Sequence, residues 1–381
     1  MRENQRKRAL EGAYIPERIF VDAGVLKAPL TRRILTRLKT VPRTVIGDPR
    51  EKVAVLAALH GTGNPLREGK KLLWLAAQKG KFVKPCPCTP GHVGCRYFTI
   101  NLNLQCPLDC TYCILQNYLV EPWLTVFVNT TDLWAELDAF LGKLAFRYLR
   151  MGTGELGDSL ALDHITGLSG DLISYFRKHP NVDFELKTKT TNIRGLLEID
   201  PPRNIVVSWS LNAERMARDE EQGAPSIEDR LEAARTVVER GFRVGFHFDP
   251  LIRHAGWKSG YAAVVRALSR TIPPGRIAWI SLGGFRFPPP LKKIIQTRFP
   301  GSRIVHGEFI TGQDGKARYF RPLREELFRH VATLLRRYGG GEVPLYLCME
   351  NEDIWQDVLG WKPGGKRAVE NALSPRGWLR G

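Results

Sequence analysis

From about residue 97 the chain repeats one pattern: a short apolar run, a polar loop, then apolar residues at helical spacing. The runs are Tyr97–Leu104, Phe146–Met151, Val182–Thr188, Asn204–Leu211, Arg243–Phe248 and Arg276–Leu282. Each is rich in β-branched or aromatic residues, as strands are. Strands that alternate with helices form a parallel sheet with crossover helices. Six such units predict an α/β fold, a partial (β/α)6 barrel of the TIM type, over residues 97–300. One helix start is explicit. Ser226 stands three residues before Asp229 at the head of a helical pattern, and Gly241 sits where that helix should stop.

The flanks read differently. Residues 1–96 are basic and irregular, with short helical patterns such as Leu30–Leu38, and are expected to form an N-terminal extension. In residues 301–381, Glu308–Phe320 predicts a hairpin around Asp314-Gly315, and Pro322–Tyr338 an amphipathic helix. The Gly-, Pro- and Lys/Arg-rich tail from Gly360 to Gly381 is expected to be loosely ordered. No apolar run reaches the ~18 residues of a membrane span. The charged N-terminus has no apolar segment behind it, so no signal peptide or membrane association is expected.

Charge changes the picture. Lys and Arg number 57 against 39 Asp and Glu, a formal net charge of +18. Such an excess suits a polyanionic partner, because phosphates draw basic surfaces by counterion release. A surface tuned for solubility is the plainer alternative. Six of the seven cysteines lie between Cys86 and Cys113, which is no secreted disulfide framework. Clustered thiols suggest metal chemistry in a reducing compartment, hence a cytoplasmic protein. A monomer is expected.

The cysteines carry the chemistry. Cys106-Pro-Leu-Asp-Cys110-Thr-Tyr112-Cys113 is C-x3-C-x2-C with an aromatic residue before the last cysteine. It offers three thiolates, where a 4Fe–4S cluster takes four. One iron would be left open to a small molecule. A structural zinc loop is the alternative, but zinc sites want a fourth Cys or His at short spacing, and the only later cysteine is Cys348. The spacing and the aromatic resemble those of the radical S-adenosylmethionine (SAM) enzymes. That resemblance implies a 4Fe–4S cluster on Cys106, Cys110 and Cys113, whose open iron chelates SAM and whose electron cleaves it to a 5′-deoxyadenosyl radical. It also implies a reducing electron donor such as a flavodoxin or ferredoxin.

Polar residues collect where the strands end, and in β/α barrels that end carries the site. The second strand runs into Gly152-Thr-Gly154-Glu155, the third ends in Lys187-Thr-Lys189, and the fourth carries Ser210 and Asn212. The fifth ends His247-Phe-Asp249, and the sixth leads to Arg286. Beside a cluster, Glu155 is a candidate for the SAM ammonium group, although Gly-Thr-Gly-Glu also serves as an ordinary strand-to-helix turn. Lys187 or Lys189 could bind the SAM carboxylate or a phosphate, or be a solvated pair. Ser210 and Asn212 could bond SAM or their own backbone. His247 is a possible proton donor or a packed histidine. Arg286 could hold a phosphate or pair with Asp249.

Over residues 80–310 the chain resembles the spore photoproduct lyase family. The matching pieces are Cys110-Thr-Tyr-Cys-Ile-Leu-Gln116, the Lys189 strand end, Ser210-Leu-Asn212, Pro225 to Ala234, Gly256 to Tyr261, and Phe285-Arg286-Phe287. The resemblance implies a partial TIM barrel, SAM contacts from Lys189 and Ser210, and radical repair of a thymine–thymine photoproduct in DNA. One departure stands out. The lyases carry a cysteine just after the second strand that returns a hydrogen atom to the product radical, and here Glu155 occupies that position. A sister branch is therefore expected. Its hydrogen donor would be Cys348, Tyr97, Tyr112 or Tyr118, or its reaction would differ. The second cysteine group, Cys86, Cys88 and Cys95 with His92 between them, has no place in the lyase scheme. Auxiliary metal site, redox thiols and packing all stay open for it.

A lesion inside a duplex reaches a barrel only by flipping out, which takes cations for phosphates and a wedge for the gap. Lys316, Arg318, Tyr319 and Arg321 interleave charge with aromatics in and beside the hairpin and, with Arg286, are candidate nucleic-acid contacts. A hairpin whose aromatics pack on the barrel is the alternative. The leading expectation is a radical SAM enzyme repairing DNA. The competitors are radical modification of RNA or of a small molecule, and a non-enzymatic iron–sulfur protein that binds nucleic acid.

Overall fold

The computed structural model describes residues 13–89, 91–144, 147–364 and 367–374. Its first strands, β1 (Arg18–Asp22), β2 (Arg43–Ile46) and β3 (Leu72–Ala76), pair in parallel in the order β2-β1-β3. Helices Pro29–Arg37 and Pro49–His60 connect them. Next come β4 (Val83–Pro85), β5 (Tyr97–Ile100), β6 (Asn103–Leu104), β7 (Asp109–Cys110) and β8 (Leu124–Phe127). β8 adds in parallel to β3, and β6 closes that sheet antiparallel to β8.

Residues 13–89 are therefore not irregular, as their sequence suggests. Trp74 stacks between Phe20 and Trp123, with ring centroids 5.0 and 4.6 Å away. The pattern was hidden for a physical reason. The strands are short, and one member of the sheet, β8, comes from beyond the Cys106–Cys113 loop.

The second sheet is the expected curled one. β5, β9 (Leu149–Thr153), β10 (Val182–Thr188), β11 (Ile205–Ser210), β13 (Arg243–Leu251) and β14 (Ile277–Gly284) lie side by side, parallel and in chain order. The short β12 (Glu221–Gln222) leaves this order to pair with β7. β4 borders β5 antiparallel at one edge. A strand that the apolar runs did not predict, β18 (Leu345–Leu347), lies parallel to β14 at the other. Ser226 caps the helix Ile227–Arg240 by accepting from the Asp229 amide at 3.1 Å, and Gly241 ends it at φ 118°, where only glycine is unstrained.

The C-terminal part begins with β15 (Arg286–Phe287), which pairs with the hairpin of β16 (Ile310–Thr311) and β17 (Ala317–Arg318). The helix Arg321–Gly339 follows. The tail from Gly360 is not wholly loose: Ala368–Leu373 is a helix that buries Val369 and Leu373. Among the described residues no helix is long and apolar enough to cross a membrane.

A polar layer fills the barrel. Glu185 on β10 accepts hydrogen bonds from Tyr97 (2.8 Å), Ser208 (2.5 Å) and Trp279 (2.9 Å), and His247 lies 2.8 Å away. Beside it the buried Arg150 guanidinium lies 4.1 Å from the Trp279 ring centre, and 5.4 and 5.2 Å from those of Tyr97 and Tyr346. Arg150 thus joins the first strand to the last across the seam of the open barrel. His247 is the packed histidine of the two alternatives, held by Glu185 and by Ser281 at 2.6 Å.

Candidate active site at the barrel mouth

The three-cysteine loop is anchored from three sides. Asp109 is ion-paired with Lys70 at 2.8 Å and with Arg298 at 2.9 Å. Burial alone would raise the Asp109 carboxyl, but these two cations outweigh it and hold it below the usual range. Cys110 lies on β7, paired to β12. Tyr112 donates to Glu221, which is bonded at 2.5 Å to the fully buried Arg230, and Arg230 in turn donates to the Ser210 carbonyl at 3.0 Å. Gln105 opens the turn at φ 68°.

The donor set fits an iron–sulfur cluster. Cys106 and Cys110 lie within each other's electrostatic reach, as do Cys110 and Cys113. Burial pushes the Cys106 thiol well above its usual value and Cys110 to about 12, while Lys70 beside the first and Lys189 beside the second favour the thiolates. Among the described residues no three His, Cys, Asp or Glu side chains converge on a point where one metal ion could sit. A cubane asks for something else, since each thiolate ligates a different iron.

The strand ends supply the rest. Gly152 has no room for a side chain: a Cβ there would lie 2.0 Å from the Tyr97 hydroxyl and 2.5 Å from the Glu185 carbonyl. Gly154 turns at φ 97° and sends Glu155 to the mouth, 3.9 Å from Lys187. Burial would lower the Lys187 pKa, but Glu155, Glu185 and Asp249 together raise it. Lys189 stands 5.8 Å over the Tyr112 ring, on the cluster side. Asp158 ties the two loops by accepting from the Leu160, Ala161 and Lys189 amides and the Thr188 hydroxyl at 2.7–2.9 Å. Cys106, Cys110, Cys113, Tyr112, Gly152, Gly154, Glu155 and Lys189 thus share one end of the barrel.

Two of the other candidates, Asn212 and Tyr97, are committed elsewhere. Asn212 accepts from the Tyr261 hydroxyl at 2.7 Å and donates to Pro250, which spends its amide on local structure. Ser210 is buried at the end of β11. The Tyr97 hydroxyl is held by Glu185, one side-chain layer below Lys187.

The expected nucleic-acid contacts need the largest correction. Arg318 is 4 % exposed and pairs with Asp314 at 2.5 Å, because β17 is the middle strand of its small sheet and turns this side chain inward. Tyr319 is buried and stacks on Phe309. Arg286 pairs with Asp249 at 3.2 Å, Lys316 with Asp314 at 3.6 Å, and Arg321 with Glu325 and Asp357. The hairpin turn lies against the loop that carries Cys86 and Cys88, with Thr89 3.4 Å from Asp314, so it is not a free wedge. Of this segment Phe320 is the exposed aromatic, at 56 %.

Sequence reasoning missed Arg150, Glu185 and Glu221 as site-building groups. Their only signal was a charge inside or beside an apolar run, as in Val182-Asp-Phe-Glu185.

The sequence model of the spore photoproduct lyase family matches residues 14–321. The chain belongs to the spore photoproduct lyase family. It is 22% identical over 342 residues to the spore photoproduct lyase of Bacillus subtilis, covering 85% of this chain and 97% of that protein. To the enzyme of Geobacillus sp. it is 26% identical over 248 residues, 63% of this chain and 72% of the relative. Among solved structures, a cysteine-to-alanine variant of spore photoproduct lyase superposes with TM-score 0.78 at 21% identity, covering 88% of this chain and all (100%) of that one. A double variant with bound S-adenosylmethionine and dinucleoside spore photoproduct superposes at TM-score 0.76 with the same identity and coverage, 21%, 88% and 100%. These likenesses carry the partial barrel of this family to the present chain.

Proposed function

We propose that this protein is a radical SAM enzyme that repairs a thymine photoproduct in DNA. What carries the reading is the meeting of Cys106, Cys110 and Cys113 with Glu155 and Lys189 at one end of a barrel from a lyase family. Cys106, Cys110 and Cys113 would hold a 4Fe–4S cluster, which would supply the electron for cleavage of SAM to a 5′-deoxyadenosyl radical.

The chain's own groups do the rest. Lys70 and Lys189 stabilise thiolate charge on the loop. Glu155 offers its carboxylate to the SAM ammonium, and Lys189 an ammonium to the SAM carboxylate. The Glu185 layer and the packed strands below keep water away from the reacting centre. The electron comes from a flavodoxin- or ferredoxin-type donor. DNA phosphates find their cations outside the hairpin, whose charges are already paired.

The test is anaerobic. Protein with its cluster reconstituted is incubated with SAM, dithionite and DNA carrying spore photoproduct, and chromatography follows 5′-deoxyadenosine and restored thymine. Both should form together. Deoxyadenosine without restored thymine would reject this substrate, and no SAM cleavage at a reducible cluster would reject radical chemistry altogether.

A further inference from the structure

If the substrate is a cross-linked base, its repair leaves a carbon radical that must receive a hydrogen atom. Cys348 follows β18, the last strand of the sheet, and its amide bonds the Leu282 carbonyl at the end of β14. This places it at the mouth. Arg286 approaches its sulfur at 3.6 Å and pairs with Asp249 at 3.2 Å, which sets the thiol beside that carboxylate. A Cβ on Gly283 would fall 2.4 Å from that same carboxylate, so the backbone is pared back to admit it.

Across the seam stands the cysteine strap. It leaves β4 with the Cys86 amide on the Tyr97 carbonyl at 2.8 Å, and reaches the far edge with the Val93 amide on the Glu350 carbonyl at 2.9 Å.

We propose that Cys348 is the hydrogen-atom donor of this enzyme. The assignment rests on the photoproduct reading above. One S–H bond breaks homolytically and one C–H bond forms on the substrate radical. The thiyl radical left behind takes a hydrogen atom from a low-molecular-weight thiol, which the half-buried position of Cys348 admits.

The chemistry of the site suits atom transfer better than nucleophilic thiol chemistry. A donor must keep its proton, and burial, with Asp249 adding to it, holds the Cys348 thiol well above the usual range. A disulfide switch would want the opposite, an easily formed thiolate. Three of the alternatives are less well placed. Tyr97 lies beneath the mouth on Glu185, and Tyr112 is turned to Glu221 on the cluster side. The Cys88 sulfur faces its own loop, 3.7 Å from the Val93 carbonyl. Cys86 lies near Glu155 and Lys187 and is the nearest competitor, so Cys86→Ser is included in the test.

The test compares the wild type with Cys348→Ser, Cys348→Ala, Cys86→Ser, Tyr97→Phe and Tyr112→Phe in D2O, using holoenzyme, SAM, dithionite, dithiothreitol and photoproduct DNA. Wild type should place one deuterium in each repaired thymine pair. Both Cys348 variants should lower the ratio of repaired thymine to 5′-deoxyadenosine at least tenfold and divert substrate into adducts, whereas a merely structural role would lower both products together. In the resting protein, an infrared S–H band removed by Cys348→Ser should persist to pH 9. An unchanged ratio in both Cys348 variants, deuterium-free wild-type product, or a ratio that falls in another variant and not in these, overturns the assignment. Failure of the photoproduct reading shows separately, as wild-type SAM cleavage with no change in the DNA, and removes the assignment with it.

Discussion

Replacing Glu155 by alanine should weaken SAM binding about 10- to 30-fold and leave the cluster in place. Glu155 sits on a turn set by Gly154, with a side chain 39% exposed and a single ion-pair partner, Lys187, at 3.9 Å. It anchors no part of the cysteine loop, which is held by Lys70, Arg298 and Glu221. A hydrogen bond to a charged group contributes roughly 1.5–3 kcal/mol. Solvent at this half-open position screens the interaction and favours the lower end, about 1.5–2 kcal/mol, and each 1.4 kcal/mol is about tenfold in Kd. Lys187 keeps Glu185 and Asp249 after the change, so no buried cation is stranded. Glu155→Gln, which retains an acceptor, should lose less. The assay is SAM titration of reconstituted protein by calorimetry, with iron content and the cluster's absorbance checked in the same samples. Unchanged affinity would refute the role given to Glu155. Loss of iron would show instead that it supports the loop, which the geometry does not predict.

Three further outcomes follow from the frame of the site. Glu185→Gln turns an amide toward four donors and should cost about 3 kcal/mol in urea unfolding, since breaking one partner of a buried charged network costs roughly 3–5 kcal/mol; a loss under about 1 kcal/mol would mean the layer is not tightly coupled. Gly152→Ala should destabilise by about 2–3 kcal/mol, because the new methyl meets backbone as well as Tyr97 and β10 cannot move away freely, and an unchanged melting temperature would contradict that. Acid should unfold the protein through Asp109 and Glu221. Against the raising effect of burial, Lys70 and Arg298 hold the first carboxyl down, and Arg230 and Lys189 the second. Depressed carboxyls stabilise fully above their unfolded pKa of about 4 and lose that contribution as pH falls through the folded value, so stability should drop below about pH 4, less steeply in Asp109→Asn.

How much of this was legible depended on the range of the interactions. The barrel was, because each strand and its helix are contiguous, and helix signals such as Ser226 and Gly241 act within a few residues. The closeness of Cys106, Cys110 and Cys113 was, because they lie within eight residues of chain. What escaped was everything completed from afar. β18 is three residues long and becomes a strand only beside β14. Glu221 reads as part of a polar loop and proves to be the buried partner of Arg230 and Tyr112.

The hairpin shows the limit most clearly. Lys316, Arg318, Tyr319 and Arg321 have the composition of a nucleic-acid contact, but composition does not say which charges have already been neutralised. Asp314, within the same hairpin, takes two of those cations, and Glu325 and Asp357 take a third. Arg318, held in a buried pair, cannot neutralise a phosphate without first breaking that pair, whereas the exposed Arg321 pairs cost little to break. Charge-removing variants in this hairpin should lower stability before they lower the salt dependence of DNA binding.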